Sequence, residues 1–163
     1  MISAVVLLLI LHFIEIKGEC YSCMSNSNWS YYAERIPGLK DLNLTERPPH
    51  APFACSFDPM RVYADKTAVY CKGFCYKWAS GTILPNGNME ISVLRGCYNR
   101  LIDEDYHESP SDNRCFQTPD DYSHRAQVEY KMECFCKGFM CNNSPVSFVN
   151  LMIWPILLFF RLI

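Results

Sequence analysis

The sequence predicts an all-β domain that is rich in disulfides and contains extended loops. Three observations lead to this fold class. The chain of 163 residues contains ten cysteines, an even number, and all of them lie between Cys20 and Cys141. The first residues have the character of a secretory leader, which predicts an oxidising compartment in which such cysteines form disulfides. Between the cysteines, several runs of residues alternate in the manner of strands.

The length and charge of the chain limit the classes of protein to which it can belong. A chain of this length has room for one domain. Its formal net charge is −2, whereas a nucleic-acid binder normally carries a basic surface that neutralises phosphates. We therefore expect no nucleic-acid partner.

Residues 1–18 are predicted to be a signal peptide. The run from Ala4 to Phe13 is apolar, long enough for the hydrophobic region of a signal peptide and short for a membrane span. Gly18 supplies a small residue at the cleavage position, which leaves Glu19 at the start of the mature chain. An N-terminal membrane anchor is the alternative, because the leader begins without Lys or Arg.

Two asparagines stand in sequons for N-glycosylation. Asn28 begins the sequence Asn-Trp-Ser and Asn43 begins Asn-Leu-Thr, and both lie in a polar, loop-like stretch. Because the leader predicts secretion, we expect both side chains to carry N-linked glycans.

The middle of the chain is predicted to form strands. In residues 67–78, aromatic and apolar side chains alternate with cysteines and polar side chains, as in a strand with two different faces. Residues 85–88, Pro-Asn-Gly-Asn, have the composition of a turn and separate two strand-like runs. Residues 126–134 alternate with a period of two, which is typical of a half-buried strand.

Two stretches are predicted to be extended loops. Residues 24–54 contain no cysteine and several prolines, and residues 98–114 contain the acidic run DEDYHE. The acidic run is predicted to be a solvated surface, because it lacks the spaced oxygen ligands and the glycine of a calcium-binding loop.

Residues 144–163 are predicted to be a signal for the attachment of a glycosylphosphatidylinositol (GPI) anchor. From Val146 to Ile163 the chain is apolar apart from three residues. A helix of this length spans about 27 Å, close to the thickness of a bilayer core. Small polar residues precede the run and no basic cluster follows it, as in a GPI signal that is removed. A retained single span, with Arg161 at the inner membrane surface, is the alternative.

The sequence gives little basis for a catalytic or metal site. Outside the leader, the histidines are His50, His107 and His124, which lie in polar surroundings without a serine-elbow motif. Cysteines that are all in disulfides leave no thiol for a Cys–His nucleophile. The predicted leader also disfavours a zinc site built from the Cys-x2-Cys and Cys-x-Cys pairs. We predict that the protein is not an enzyme and has no cofactor or metal ion.

The spacing of the cysteines resembles that of the Ly-6/uPAR superfamily. The cysteine-rich part begins with CYSC at Cys20 and ends with CFCKGFMCN, in which an asparagine directly follows the last cysteine. Both features are typical of that family, and the resemblance covers residues 19–143. It implies a three-finger domain. The long first finger and the RGC at Cys97 are similar to invertebrate members, including the nematode odorant-response group.

The resemblance also implies how the cysteines pair, which the sequence alone leaves open. The implied disulfides are Cys20–Cys75, Cys23–Cys55, Cys71–Cys97, Cys115–Cys134 and Cys136–Cys141. In the family, the asparagine after the last cysteine hydrogen-bonds across the base of the fingers. Side-chain size alone favours GPI attachment at Asn142, but if Asn142 has this structural role, Asn143 is the better site. We predict Asn143, with Asn142 and Ser144 as alternatives.

The resemblance implies a function at the cell surface. Relatives of this kind bind a receptor or ion channel in the same membrane and modulate it, often in neurons; a role in cell junctions or adhesion is the alternative. Aromatic and other exposed side chains make good anchors in an interface. The residues expected to contact a partner are Trp78, Leu84, Asn86 and Met89. For Trp78, packing against a neighbouring finger is the alternative. A second candidate patch consists of Trp29, Tyr31 and Tyr32, which alternatively cover the long first loop.

Overall fold

The computed structural model describes residues 18–57, 67–84, 86–103, 105, 110–119 and 128–143, without the side chains of 118, 119, 128 and 129. In these ranges the chain is mostly β-sheet with a few short helices and five disulfides, as expected of a disulfide-rich all-β fold. No helix in this part of the chain is long and apolar enough to cross a membrane. Residues 1–17 of the predicted signal peptide and the whole predicted GPI signal, residues 144–163, lie outside the described residues.

Within the described ranges, seven strands form two antiparallel sheets. The strands are β1 (Glu19–Tyr21), β2 (Cys23–Met24), β3 (Ala68–Tyr70), β4 (Cys75–Ile83), β5 (Met89–Cys97), β6 (Arg114–Pro119) and β7 (Val128–Cys136). Strand β1 pairs with β3, and the other strands form a sheet in the order β2-β5-β4-β7-β6. The helical elements are α1 (Trp29–Ala33), α2 (Pro52–Phe57), α3 (Tyr98–Leu101) and a 3-10 turn (Cys141–Asn143).

The β4–β5 hairpin forms where the sequence predicts a turn. Cys75 pairs with Cys97 at its base, and Ile83 pairs with Met89 next to the turn. Gly87 in the turn has a φ of +81°, a conformation that glycine adopts without steric cost. Because β4 has nine residues and a strand rises about 3.3 Å per residue, the turn lies about 26 Å from the base. The predicted strand at residues 126–134 is also present, as β7.

Residues 67–78 form two strands rather than the single strand that their alternation predicts. Strand β3 ends at Tyr70 and belongs to the two-stranded sheet, and β4 begins at Cys75 in the larger sheet. The chain must therefore bend between the two sheets. The bend passes close to α3, where a Cβ on Gly73 would lie only 3.0 Å from the Oδ1 of Asn99.

The prediction that residues 24–54 are an extended loop is wrong, because part of this stretch is helical and belongs to the core. The side chain of Asn28 caps α1 by accepting a hydrogen bond from the first turn. Trp29 and Tyr32, on the inner side of α1, are buried against the large sheet. The predicted loop 98–114 likewise begins with a helix, α3, whose ends are buried.

The large sheet has aromatic side chains on one face and disulfides on the other. Alternate residues of β4 point to opposite faces, so Tyr76 and Trp78 enter a cluster with the side chains of α1 and α3. Ala79 lies on the opposite face, where it packs with Val93 of β5 and with the Cys23–Cys55 disulfide. For β4 this segregation confirms the alternation in the sequence.

The ten cysteines form five disulfides, which join Cys20 to Cys75, Cys23 to Cys55, Cys71 to Cys97, Cys115 to Cys134 and Cys136 to Cys141. These are the pairs that the family resemblance implies. Cys75, Cys97 and Cys136 form one row across β5, β4 and β7. We call this row, with the three cysteines bonded to it, the cysteine base; the β4–β5 turn lies at the other end of the hairpin.

Candidate functional site

Of the four residues predicted to contact a partner, three lie at the β4–β5 turn and one lies in the core. Asn86 and Met89 are exposed and Leu84 is half-buried. Trp78 is only 1% exposed, and its ring packs edge-on against that of Tyr32 with 5.7 Å between centroids. The prediction that Trp78 contacts a partner is therefore wrong: β4 turns this residue toward α1, so it packs within the domain.

The aromatic residues of α1 cover the sheet rather than form a contact patch. The hydroxyl of Tyr32 donates a hydrogen bond to the carbonyl of Val93 at 2.9 Å, and burial raises its pKa. The indole N–H of Trp29 donates to the carbonyl of Lys40 at 3.3 Å. Tyr31 is half-buried above them. The bond from Tyr32 fixes α1 to the sheet, and the bond from Trp29 joins two parts of the first loop. Trp29 and Tyr32 therefore pack within the domain, which supports the covering role over the contact role.

The outer half of the β4–β5 hairpin has one polar and one apolar face. Residues that are directly paired across antiparallel strands project to the same face. One face presents Thr82, Glu90, Ser80 and Ser92. The other, which we call the apolar hairpin face, presents Ile83, Met89 and Ile91, with Tyr130 and Met132 in line on β7. Met89 is 45% exposed and the other four are half-buried.

Helix α2 presents an exposed aromatic pair that the sequence interpretation missed. Phe53 and Phe57 are four residues apart and therefore lie on one side of the helix, with 5.4 Å between ring centroids. Phe53 is 63% exposed, whereas Cys55, on the inner side, is buried and bonded to Cys23. The signal in the sequence is PFACSF, with proline at the first helical position and phenylalanines at i and i+4.

Asn142 fastens the end of the described chain to both sheets. Its Oδ1 accepts a hydrogen bond from the N–H of Tyr21 at 2.9 Å, and its Nδ2 donates to the carbonyls of Tyr21 (2.9 Å) and Tyr76 (3.1 Å). Its own carbonyl accepts a hydrogen bond from the guanidinium of Arg95. The side chain is buried, and this is the bonding across the base that the family resemblance implies.

The residues predicted to be modified differ in their surroundings. Asn28 and Asn43 are exposed, and so is Asn143, whereas Asn142 is buried. Ser144, the third candidate for GPI attachment, lies outside the described residues. Glycosylation at the first two asparagines and GPI attachment at Asn143 stay predictions.

Two cationic side chains are buried side by side on the disulfide face of the sheet. Lys77 and Arg95 are directly paired across β4 and β5. Burial and the positive charge of Arg95 lower the pKa of Lys77 to about 8, and burial lowers the pKa of Arg95 to about 10. The guanidinium also donates to the carbonyl of Cys55 at 2.9 Å, so Arg95 links α2 to the 3-10 turn.

The buried Lys77 predicts that the protein becomes more stable as the pH rises above neutrality. An unfolded lysine titrates near its ordinary pKa of 10.5, so between pH 8 and 10.5 the unfolded chain holds a proton that the folded chain has released. From about pH 7.5 to about pH 9, the unfolding free energy should rise by about 1 kcal/mol.

Urea denaturation at the two pH values measures this effect. The control is Lys77→Met, which keeps an apolar stem of similar length and removes the titrating group. We expect the rise in the wild type to exceed that in the variant. An equal rise in both proteins would show that another group is responsible.

Among the described residues, one group of sulfur atoms is close enough to hold a metal ion: the Sγ atoms of Cys75, Cys136 and Cys141 lie within 4.8 Å of one another. All three are in disulfides, which lack the thiolate that binds a metal. His50 is exposed, and the other histidines lie outside the described residues. The predicted absence of catalytic and metal sites stays a prediction.

Comparison with family models, curated proteins and solved structures finds no match to this chain. The resemblance to the Ly-6/uPAR superfamily therefore stays a prediction from the spacing of the cysteines and from the asparagine that follows the last of them.

Proposed function

We propose that this protein is a three-finger domain, held at the outer face of the cell membrane by a GPI anchor, that binds and modulates a membrane receptor or ion channel without catalysing a reaction. One observation carries the proposal: the β4–β5 hairpin extends about 26 Å from the cysteine base and presents the apolar hairpin face near its tip. Such a surface suits binding by contact rather than catalysis in a pocket.

The arrangement of the strands supports a three-finger architecture, with one departure. The β4–β5 pair and the β6–β7 pair supply a second and a third finger that start at the disulfides. The first finger corresponds to the chain between Cys23 and Cys55. It contains helix α1 rather than a strand hairpin, and its aromatic residues lie on the central finger. The contact surface is therefore assigned to the central finger.

The surroundings of Asn142 support GPI attachment at Asn143. The side chain of Asn142 is buried and its amide is held by Tyr21 and Tyr76, so the neighbouring main chain belongs to the folded domain. Asn143 is the first exposed residue after it, and two residues separate it from the apolar tail. An attachment enzyme needs access to an unburied chain, which Asn143 provides and Asn142 does not.

We expect phosphatidylinositol-specific phospholipase C to release the protein from unpermeabilised cells that express it. The enzyme cleaves the lipid of a GPI anchor, whereas a retained membrane span is insensitive to it. A surface label on the protein, followed in the medium, measures release. Retention, under conditions that release a known GPI-anchored protein, would contradict the anchor and favour the single span.

We expect substitution of Met89 to weaken partner binding. Met89→Asp places a charge on the apolar hairpin face and should lower co-purification of a receptor or channel subunit at least about tenfold. Phe116→Asp on edge strand β6 is the matched control, because Phe116 is also 45% exposed.

The two variants also distinguish the proposed function from its alternative. Loss of subunit capture with Met89→Asp alone supports modulation through the hairpin. If both variants leave capture unchanged, the hairpin is not the contact surface. Enrichment at cell junctions, with self-association and no captured subunit, would favour adhesion.

A further inference from the structure

We infer that the protein rests its base on the lipid headgroups of its own membrane, with the ring of Phe139 at the interface between headgroups and acyl chains. The contact surface, which we call the base surface, consists of Lys72, Lys137 and Phe139. This inference rests on the proposed membrane attachment, and it holds whether a GPI lipid or a retained span provides that attachment.

The loop between Cys136 and Cys141 holds the ring of Phe139 outside the fold. The loop is closed by a disulfide, and the N–H of Met140 donates to the carbonyl of Glu19 at 2.7 Å. Met140 has a φ of 50°, an uncommon conformation for a residue other than glycine, and its side chain is buried. Phe139 is consequently turned outward and is 66% exposed. The loop is thus held to the fold on both sides of Phe139, and the ring of Phe139 remains exposed.

Two lysines lie at the same end of the molecule as this ring. The ammonium of Lys137 lies 4.4 Å from the centre of the Phe74 ring, so the bend after β3, which carries Lys72, is next to the loop. Both lysines are exposed. Residues 18–19, 71–74 and 137–143 include one acidic residue, Glu19. Asp112 also lies at this end, because the side chain of Asn113 accepts a hydrogen bond from the N–H of Lys137, and Asp112 is paired with Arg114 at 3.3 Å. Cleavage after Gly18 would add an α-ammonium group here.

An aromatic ring flanked by lysines is the combination that binds a membrane interface. Aromatic side chains favour the level of the headgroups, and lysines interact with lipid phosphates while their stems lie along apolar surface. The turn of the β4–β5 hairpin has no such combination, since Asn86, Gly87 and Asn88 lie between Leu84 and Met89 without a lysine. The composition thus distinguishes the two ends of the domain.

The path of the chain brings the base surface to the membrane rather than to a distant partner. The N–H of Asn143 donates to the carbonyl of Met140 at 3.2 Å, which places the end of the described chain beside the loop. The apolar tail begins three residues later, at Val146, and three residues span at most about 11 Å. A GPI anchor would be attached at Asn143 itself, with the glycan of the anchor between the protein and the lipid. Either attachment holds this end of the domain near lipid and leaves the hairpin tip pointing away.

Tryptophan fluorescence with quencher-labelled lipids tests the orientation. The full processed chain is reconstituted into vesicles of phosphatidylcholine and phosphatidylserine with nitroxide groups near the headgroups. Phe139→Trp and Met89→Trp are compared, since both positions are exposed. Phe139 lies in the loop that follows Cys136 at the cysteine base, and Met89 lies beside the hairpin turn at the other end. The native Trp29 and Trp78 are buried and give a common background. Trp154 lies in the apolar tail, which a retained span would keep, so it is replaced by Phe in every protein.

We expect quenching of the Phe139→Trp emission by at least about twofold, with no added quenching for Met89→Trp. Adding Lys72→Glu and Lys137→Glu to Phe139→Trp should reduce the quenching, because like charge opposes the lipid phosphates. The side chains of Lys72, Met89, Lys137 and Phe139 are exposed, so unchanged thermal midpoints verify that the variants are folded.

Three other outcomes would contradict the inference, and each contradicts a different part of it. Protein that floats with the vesicles but leaves Phe139→Trp unquenched overturns the base contact and leaves membrane attachment intact. Quenching of Met89→Trp instead overturns the orientation, and with it the assignment of the hairpin to a protein partner. Protein that does not float with the vesicles overturns both the inference and the proposed attachment.

Discussion

Replacing Asn142 by alanine is expected to lower the free energy of unfolding by about 3 to 5 kcal/mol. The substitution removes three buried hydrogen bonds and leaves the N–H and carbonyl of Tyr21 and the carbonyl of Tyr76 without their side-chain partner. Each such buried group costs about 1 to 3 kcal/mol, because water does not reach it. The loss would weaken the attachment of the 3-10 turn to β1 and β4, although the hydrogen bond from Met140 to Glu19 and the Cys136–Cys141 disulfide remain.

Denaturation of the purified chain in urea measures this loss, and Asn143→Ala is the matched control. Asn143 is exposed and its hydrogen bond to Met140 is made by the main chain, so alanine should change stability by less than about 0.5 kcal/mol. Alanine is also small enough for anchor attachment. Similar losses in the two variants would show that Asn142 has no special structural role.

The parts of the fold that the sequence predicts correctly are those that depend on neighbouring residues. The turn at residues 85–88 follows from its composition, and the central hairpin follows from the turn. The alternation in β4 separates aromatic from disulfide-bonded side chains, because that period belongs to the strand itself. The cysteine pairing is different in kind: it came from the family resemblance, since spacing alone permits many connectivities.

The parts that the sequence does not predict depend on contacts between distant segments. Helix α1 lies in a stretch that has the composition of a loop, and it is fixed by burial of Trp29 and Tyr32 on strands more than 40 residues away. The break between β3 and β4 arises because the two strands belong to different sheets. Local alternation contains no information about either contact.

Only part of the candidate site could be predicted, because some of its residues depend on local chemistry and others on contacts between distant segments. Asn86 and Met89 are exposed because a turn projects its residues into solvent whatever surrounds it. Phe53 was missed because α2 has only six residues, too few for a helical period to be recognised. The exposure of Phe139 depends on the disulfide-closed loop and on the burial of its neighbour Met140, neither of which composition reveals.

Trp78 was assigned to the wrong environment because an alternating strand shows that its two faces differ but not which one is covered. The face that carries Tyr76 and Trp78 receives α1 and α3, so it becomes the core. The opposite face, near the tip, carries Met89 and remains accessible. Large aromatic side chains are therefore ambiguous between interface and core until the covering segments are known.

Replacing Trp78 by alanine should lower the free energy of unfolding by about 3 to 5 kcal/mol, because it leaves a cavity beneath α1 and removes ring contacts with Tyr31 and Tyr32. Met89→Ala, at the exposed tip, should change stability by less than about 0.5 kcal/mol. Urea denaturation of the two variants measures the contrast, and partner capture by the fraction that remains folded separates stability from binding.

A stable Trp78→Ala protein that no longer captures its partner would contradict a core role and return Trp78 to the contact surface. A destabilised protein whose folded fraction still captures the partner would show that Trp78 acts through the fold, which is the outcome we expect.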